Sequence, residues 1–492
     1  MKNKLTCWSD SLVGKLGFSF TSDSMKSVAQ AVFKYKNENN IDVICVGYDQ
    51  RYLADELALE IANSLSNMGV PVKVIDGPSP MFLISWFANQ IDKGSKSLGV
   101  YVGGDSAPMG LLNVSFRNTD GSPFTSTQTR KLYEDYLYYS RGNFDFVDKK
   151  RELEYADLKE GYTQWLVDTL NLTPYLGKNP TVIGIDYLTS PVCSYLQPLF
   201  TKMNLGISAV PESFYDRLII NKQLRPDPSG WSLHYGFKSF GMRQINFAFD
   251  GDGDCLGLYD GKADEEISPS AVFIILLYYF AKVKKRKGTI LIDKAVSDRV
   301  TIIAEQYGMA VEYVNNGLAG LSEKLKKSRK RPALMYGDAY GGFWFKGLPL
   351  DRNPFPAILF IIEACVKAGL NPSSLYATIV DKHLNKDYFY GKVDIYPKQV
   401  DFDQLFSFLQ EGSTAAVGEN KIIECVPGEF TDESHFTAHT MKLDNDSRIV
   451  IQSNPKNDFI ELYVEAIDKD TTHRIMGNVQ NLIFISDHKL IN

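Results

Sequence analysis

The chain has 492 residues, of which 44% are hydrophobic and 23% charged, and its formal net charge is −6. This composition is typical of a soluble globular protein, and the length favours about three or four domains over a single core. The acidic balance argues against a general nucleic-acid binder, so we expect no nucleic-acid partner.

The cysteines and the apolar runs indicate the cellular compartment in which we expect the protein. The six cysteines are scattered and form no CxxC pair, which excludes a zinc ribbon and predicts a reduced, cytoplasmic setting. The N-terminal stretch does not resemble a secretory signal. The longest apolar run, AVFIILLYYFA at 271–281, has about half the length that a membrane span needs. We therefore predict a buried helix there and no membrane segment.

Strand-like and helix-like segments alternate up to about residue 375. Apolar runs predict strands at IDVICVGYD (41–49), PVKVID (71–76), KSLGVYVGG (96–104), TVIGIDYL (181–188), INFAF (245–249) and GTILIDK (288–294). Helical spacing predicts helices at 53–70, 192–206 and 297–309. This alternation implies α/β layers with helices covering the sheets. Beyond about residue 380, the segments DYFYGKVDIYP, RIVIQSNP and FIELYVEA predict a smaller α+β domain with an antiparallel sheet.

The stretch FAFDGDGDCLGLYD (247–260) places Asp250, Asp252 and Asp254 at alternate positions after a strand. The intervening glycines allow the backbone to turn several carboxylate oxygens toward one point. Oxygen ligands without His or Cys suit Mg²⁺ rather than zinc. An EF-hand is excluded because its twelfth position, counted from Asp250, is Gly261. The alternative interpretation is an acidic turn that binds no metal.

Motifs along nearly the whole chain resemble those of the phosphohexomutase superfamily, the relatives of phosphoglucomutase and phosphomannomutase. In family order they are VGYDQR (46–51), GPSP (77–80), RPDP (225–228), AFDGDGD (248–254), EISPSAVFIILL (266–277), FWFKG (343–347) and LYVEA (462–466). The resemblance implies a four-domain architecture of class α/β, with three α/β domains with mixed sheets followed by a smaller α+β domain. We place these domains at 1–150, 151–256, 257–378 and 379–492.

The resemblance also implies a reaction. Enzymes of this family move a phosphate between the 1- and 6-positions of a hexose, through a phosphoserine and a bisphosphorylated intermediate. The chemistry needs a nucleophilic hydroxyl, Mg²⁺ on the phosphoryl oxygens, cations that hold the sugar phosphate, and groups that recognise the ring hydroxyls.

The loop of the family nucleophile, TASHNP, corresponds here to GGDSAPMG (103–110). Alignment of the prolines puts Asp105 in the serine position and Ser106 in the histidine position. Three interpretations stay open: Ser106 acts after a shift of one residue, Asp105 accepts phosphate or mimics the phosphoserine charge, or Asp105 only satisfies backbone donors in a turn.

Other functional loops also depart from the family pattern. The arginine after the metal aspartates is replaced by Cys255, which supplies no cation. We interpret Cys255 as a packed core residue, and a reactive thiol is the alternative. The sugar-reading loop GExSGH corresponds to GDAYGG (337–342). There Asp338 keeps a carboxylate, and Tyr340 and Gly342 replace the serine and the histidine. Asp338 and Tyr340 are candidate sugar-binding residues, and a structural role for Asp338 is the alternative.

The cations that hold phosphate in the family are also changed. The segment QSNPKND (452–458) stands where the family has RPSGTEP and contains no arginine. The candidates for a weaker anion site, and for other substrate contacts, are Ser453, Asn454, Lys456, Lys15, Arg51 and Lys294. The family arginine near the N-terminus is replaced by Val13.

The sequence therefore predicts a divergent phosphohexomutase-like protein that binds Mg²⁺ and a hexose phosphate and has weak or absent mutase activity. Such a protein would bind a phosphorylated sugar without converting it, or act on a protein partner. The alternative is an active mutase that uses Ser106 or Asp105.

Overall fold

The computed structural model describes residues 4–90, 94–105, 107, 110–142, 152–174, 181–210, 226, 243–315, 317–327, 333–384, 388–410, 416–429, 437–454 and 459–484. Within these ranges the chain forms four β-sheets and thirteen α-helices. The predicted class, α/β with an α+β domain at the C-terminus, is confirmed.

The first sheet has seven strands and mixes both pairings. Its strands are Thr6–Trp8 (β1), Ser11–Lys15 (β2), Val43–Tyr48 (β3), Val72–Ile75 (β4), Ser97–Gly103 (β5), Leu111–Arg117 (β6) and Glu154–Ala156 (β7). Their order is β1-β2-β6-β5-β3-β4-β7. β3 pairs in parallel with β4 and β5, and β5 pairs antiparallel with β6. Because Gly104 and Asp105 directly follow β5, they lie at the sheet edge where that strand ends.

The second and third sheets are also mixed. The second contains Thr181–Asp186 (β8), Leu205–Ala209 (β9), Ile245–Phe249 (β10), Leu256–Asp260 (β11) and Glu265–Ile267 (β12), in the order β12-β11-β10-β8-β9. The third contains Thr289–Asp293 (β13), Ala310–Val314 (β14), Ala333–Gly337 (β15) and Phe343–Phe345 (β16), in the order β14-β13-β15-β16. In each sheet one antiparallel hairpin, β10–β11 or β15–β16, carries a candidate loop at its turn.

The fourth sheet is antiparallel throughout, as the sequence predicts. It consists of Phe389–Ile395 (β17), Ala416–Val417 (β18), Asn420–Val426 (β19), His439–Leu443 (β20), Arg448–Asn454 (β21) and Phe459–Ala466 (β22). The order is β17-β22-β21-β20-β19-β18. Every described pair in it is antiparallel.

The described helices span Ser22–Glu38, Ala54–Asn67, Met81–Gln90, Ser126–Tyr139, Lys159–Leu170, Cys193–Lys202, Pro269–Tyr278, Asp298–Gln306, Gly317–Lys327, Pro354–Ala368, Pro372–His383, Phe402–Gln410 and Lys469–Ile483. Local signals fix several ends. The Asn353 side chain accepts a hydrogen bond from Phe355 N, and Pro354 takes the first helical position. Gly369 ends that helix at φ 69°, a left-handed conformation that favours glycine.

Three large clusters of buried apolar side chains form the cores. We call the parts of the chain built on the first to fourth sheets the first to fourth units. One cluster fills the first unit and one the fourth. The third cluster extends through the second and third units and includes the helix Met81–Gln90 from the first. Phe82 and Trp86 of that helix contact Tyr162, and Phe82 also contacts Phe355. Side chains from three units therefore pack in one continuous core.

The apolar run at 271–281 lies in the buried helix Pro269–Tyr278 and its π-helical extension Tyr279–Val283. Among the described helices, no single one is long and apolar enough to span a membrane. One pair bent by 73°, Pro354–Ala368 and Pro372–His383, meets that criterion by length and composition alone.

The predicted domain boundaries at 150, 256 and 378 stay predictions. The first sheet continues to Ala156 and the second to Ile267.

Candidate functional site

The three aspartates of the metal loop lie at the turn of the β10–β11 hairpin, where Phe249 pairs with Leu256. The turn is held by backbone amides, because Asp254 N and Cys255 N each donate to Asp250 Oδ1 at 3.0 Å. Gly253 has φ 75°, and a Cβ there would lie 2.5 Å from Val192 Cγ1. A glycine is therefore required on both conformational and steric grounds.

A fourth carboxylate joins this loop. Asp105, Asp250, Asp252 and Asp254 each contribute one carboxylate oxygen to a group in which all the oxygens lie within 4.8 Å of one another. All four residues are buried. Burial, reinforced by the charges of Asp254 and Asp105, raises the pKa of Asp250 well above its ordinary value. Burial likewise raises the pKa of Asp254 to about 6, and the nearby Arg352 opposes that rise. Four ionised carboxylates are therefore disfavoured in this buried cluster unless a cation compensates their charges.

The residues present fit a hard divalent cation. Asp250 Oδ2 is buried and makes no hydrogen bond within the described part of the chain. Carboxylate oxygens are the ligands that Mg²⁺ prefers, and their negative charges compensate its own. The acidic cluster could therefore hold Mg²⁺ through Asp105 in addition to the three predicted aspartates.

Asp105 is positioned by an unusual backbone and by Arg51. Asp105 has φ 52°, a left-handed conformation that Asp tolerates better than most residues. Arg51 Nη2 donates to the Asp105 carbonyl at 2.5 Å, and Arg51 Nη1 donates to the Leu111 carbonyl at 3.2 Å. The Asp49 carboxylate accepts from Arg51 N and Gly104 N, both at 2.9 Å. Both ends of the loop are thus fixed on the first sheet.

The sequence predicts that Arg51 contacts substrate, and the structure gives it a different set of contacts. Its side chain is buried and its Nε lies 3.2 Å from Asp49 Oδ2. Its guanidinium therefore positions the loop that presents Asp105, and a substrate contact stays a prediction. Ser106, the other candidate nucleophile, lies outside the described residues.

The loop 337–342, which we call the sugar-reading loop after the family loop it resembles, is built around Asp338, which follows β15. Asp338 Oδ1 accepts from Tyr340 N at 2.9 Å and from Gly342 N at 3.0 Å, so the carboxylate organises its own turn. Leu256 N donates to Gly341 O at 3.0 Å, and Cys255 forms a β-bridge with Gly342. The structure therefore joins this loop directly to the metal loop.

Arg352 is a site residue that the sequence interpretation missed. Its Nε donates to Asp338 Oδ2 at 2.8 Å, and its Nη1 lies 3.5 Å from Asp254 Oδ2. It thereby places a guanidinium between the sugar-reading loop and the metal loop. The only available signal was the segment DRNP (351–354), an arginine immediately before a helix start, which does not by itself predict this contact.

Tyr340 connects the sugar-reading loop to the fourth sheet. Its hydroxyl donates to Glu461 Oε2, and Gln452 Nε2 donates to the same oxygen at 2.9 Å. Lys392 Nζ lies 3.1 Å from Glu461 Oε1 and 5.4 Å from the centre of the Tyr340 ring. The sequence does not predict that Lys392, Gln452 and Glu461 are near this loop, because the pattern around each of them indicates only a β-strand.

For the remaining predicted cations and hydroxyls, the structure shows the following positions and contacts. Lys15 is exposed at the end of β2, and its ammonium lies over the Phe18 ring at 5.1 Å. The Lys294 carbonyl accepts from Arg448 Nη2. Ser453 pairs with Ile460 in the fourth sheet. The Asn454 side chain and Lys456 lie outside the described part of the chain, and the roles of all five residues stay predictions.

Cys255 is packed among carboxylates. Its thiol donates to Asp254 Oδ1 at 3.0 Å. Burial, together with the charges of Asp254 and Asp250, raises the pKa of the thiol well above its ordinary value. A thiol in this environment stays protonated and is a poor nucleophile.

Comparison with known proteins supports the resemblance found in the sequence. Residues 9–141 match the family model described as phosphoglucomutase/phosphomannomutase, alpha/beta/alpha domain I. A search by sequence among curated proteins finds no match.

Solved structures share the fold over nearly the whole chain. A Thermus thermophilus protein assigned the name phosphomannomutase is 16% identical, with a TM-score of 0.75 over 98% of this chain and 99% of its own. A phosphoglucomutase/phosphomannomutase family protein from Burkholderia thailandensis is 18% identical, with a TM-score of 0.71 over 96% of each chain. The Aspergillus fumigatus N-acetylphosphoglucosamine mutase, solved in complex with GlcNAc-6P and magnesium, is 10% identical, with a TM-score of 0.51 over 94% and 96%.

Proposed function

We propose that this protein has a divergent phosphohexomutase-like function in carbohydrate metabolism. The proposal is supported by the match of residues 9–141 to the phosphoglucomutase/phosphomannomutase domain I model and by a fold shared with solved structures that carry these names. In this proposal the protein binds Mg²⁺ and a hexose phosphate and has weak or absent mutase activity. We also propose that it acts in the cytoplasm, and that an inactive form would work through a protein partner.

The observation that carries this proposal is the position of Asp105. The residue that aligns with the family nucleophile contributes a carboxylate to the same buried cluster as Asp250, Asp252 and Asp254. A carboxylate in that place supplies a fixed negative charge without phosphorylation, and it cannot form the phosphate ester that a serine forms. This arrangement suits cation binding better than the cycling of a phosphoryl group through an ester at this position.

Mg²⁺ bound there would neutralise phosphoryl oxygens of a ligand. The residues of the chain would hold the cation by four carboxylates, exclude water by burial, and present the Asp338 loop beside it. Substitution at the phosphate-binding positions supports low turnover. Each lost charge-assisted contact costs about 1.5–3 kcal/mol, and about 1.4 kcal/mol is worth tenfold in rate.

The test is intact mass with peptide mapping, before and after incubation with Mg²⁺ and a hexose 1,6-bisphosphate, together with a mutase assay on hexose 1-phosphates. We expect unmodified protein, measurable binding of a hexose phosphate, and turnover orders of magnitude below that of an active mutase. A phosphoryl group on Ser106 or Asp105, with turnover that Asp252→Ala abolishes, would replace this proposal by the active-mutase alternative.

A further inference from the structure

We infer that Arg352 binds the phosphate group of the ligand beside the cation site, in place of the family arginine whose position is occupied here by Cys255. This inference rests on the proposed function, because it assumes a hexose phosphate as the ligand. It assigns a residue from a different segment of the chain to the role that the metal loop itself has lost.

The guanidinium of Arg352 is anchored by two carboxylates and keeps a small exposed fraction. Its Nε and Nη1 contact Asp338 and Asp254. The guanidinium also lies against the Tyr340 ring, 5.9 Å from its centre, and the side chain is 11% exposed. A guanidinium carries five N–H donors, so donors remain for a phosphate oxygen.

The backbone that carries Arg352 is held on both sides. Arg352 N donates to Asp351 Oδ1 at 3.0 Å, and Asp351 is in turn fixed by Arg117 Nε at 2.7 Å. Asn353, the next residue, caps the following helix. Ion pairs at the side chain and fixed neighbours in the backbone leave little conformational freedom to lose on binding, which favours ligand recognition.

The negative charge of the acidic cluster also favours a cationic side chain beside any bound phosphate. Four carboxylates outweigh the two positive charges of one Mg²⁺ ion, so a phosphate would approach an acidic cluster that still carries net negative charge. Cys255 supplies no compensation. Arg352, paired with Asp254, is a cation on the border of the cluster, and a guanidinium matches the geometry of phosphate.

This role predicts opposite effects on two ligands in Arg352→Gln. Phosphate affinity falls because a charge-assisted contact is lost, whereas Mg²⁺ affinity is unchanged or rises because a competing cation leaves Asp254. If Arg352 served only to hold the two loops together, its removal would loosen the site and lower both affinities. The two roles are therefore separable in a single variant.

The experiment is isothermal titration of the full chain with Mg²⁺, and then with glucose 1-phosphate at saturating Mg²⁺. We expect Arg352→Gln to bind glucose 1-phosphate about tenfold more weakly or worse, with no loss of Mg²⁺ affinity, and Arg352→Lys to recover part of the difference. Lys284→Gln, which removes a positive charge paired with Glu363 on a helix of the third unit, is the charge-matched control and should bind both ligands like the parent.

The outcomes separate the two proposals. If the parent binds glucose 1-phosphate and Arg352→Gln binds it equally well, the inference is wrong and the proposed function stands. A parallel loss of both affinities would likewise overturn the inference in favour of a structural role. If the parent, saturated with Mg²⁺, binds no hexose phosphate, the proposed function fails and the inference with it.

Discussion

Arg117 and Asp351 lie 234 residues apart in the sequence, and Arg117 donates to the Asp351 carboxylate through Nε at 2.7 Å and through Nη2 at 3.3 Å. Both side chains are almost fully buried, and Arg117 Nη1 also donates to Asp10 Oδ2 at 2.9 Å. This bidentate pair joins the first sheet to the segment that carries Arg352. The arrangement of the candidate site therefore depends on a buried charge pair outside it.

Removal of one partner of this pair should destabilise the protein strongly. In Asp351→Asn the Arg117 guanidinium would keep only one carboxylate in a buried site, and breaking a buried ion pair costs about 3–5 kcal/mol. The free energy of unfolding, measured in urea, should fall by that amount. Glu154→Gln, which breaks the more exposed pair with Lys73 at 3.1 Å, should cost less than about 1 kcal/mol. Equal effects of the two substitutions would contradict this account.

Tyr340→Phe should loosen the sugar-reading loop without unfolding the chain. The substitution removes the hydroxyl that donates to Glu461, and a hydrogen bond to a charged group is worth about 1.5–3 kcal/mol. Lys392 and Gln452 remain to satisfy the carboxylate. Hydrogen exchange at the amides of 338–342 should accelerate. Tyr396→Phe, at a ring that is 52% exposed, is the matched control. Unchanged exchange in Tyr340→Phe would show that the hydrogen bond to Glu461 does not stabilise the loop.

The parts of this site that follow strand ends could be predicted from the sequence. The buried run INFAF, followed by alternating Asp and Gly, fixes the positions of Asp250, Asp252 and Asp254 locally. Asp105 could be placed because the loop 103–110 also follows a predicted strand. Each of these inferences needs only the local pattern and the resemblance of short motifs.

Contacts between distant segments could not be predicted in this way. Arg352 reaches Asp254 across 98 positions, and Tyr340 reaches Glu461 across 121. Hydrophobic periodicity reports which face of an element is buried, but not which polar side chain of another unit will face it. For the same reason Arg51, whose motif suggested substrate contact, has contacts in the structure that hold its own loop.

His439 should make stability depend on pH. Burial, with a contribution from Lys294, lowers the pKa of His439 from 6.5 to about 4, and its ring contacts Cys425 Sγ at 3.1 Å. Between pH 6.5 and 4 the unfolded chain binds a proton that the folded chain does not, so stability is lost as pH falls through that window. At pH 5 this proton uptake lowers the free energy of unfolding by about 1–2 kcal/mol relative to pH 7.

The measurement is the free energy of unfolding at pH 7 and pH 5 for the parent and His439→Gln. The variant should lose less stability than the parent between these pH values, and the difference reports His439 alone. His473→Gln, at an exposed histidine of the last helix, should behave like the parent. A pH dependence that is identical in the parent and His439→Gln would refute the assignment.

Cys255 should resist thiol reagents in the folded protein. Its thiol is buried and hydrogen-bonded to Asp254, and its raised pKa leaves almost no thiolate at neutral pH. Cys193, which is partly exposed, provides the internal comparison. Labelling followed by peptide mapping should modify Cys193 under native conditions and Cys255 only after unfolding. Rapid native labelling of Cys255 would favour a reactive role that the geometry does not support.

Asp105→Asn should weaken cation binding while it preserves the loop. Asparagine has a similar shape and tolerates the left-handed backbone at φ 52°, so the main change is one lost negative charge in the four-carboxylate cluster. Two unit charges about 4 Å apart interact by about 1–4 kcal/mol in partly screened surroundings. Mg²⁺ affinity, measured by calorimetry, should therefore fall about tenfold or more.

Asp23→Asn is the matched control for this substitution, because Asp23 is a carboxylate of the same unit that is 90% accessible to solvent and does not belong to the buried cluster. It should bind Mg²⁺ like the parent. Asp105→Ser, which introduces the serine of the family loop that this segment resembles, should also bind Mg²⁺ more weakly, because a neutral hydroxyl replaces the carboxylate. If Asp105→Asn and Asp105→Ser both bind Mg²⁺ as tightly as the parent, Asp105 is not a ligand, and the three aspartates of the β10–β11 turn would have to hold the cation without it.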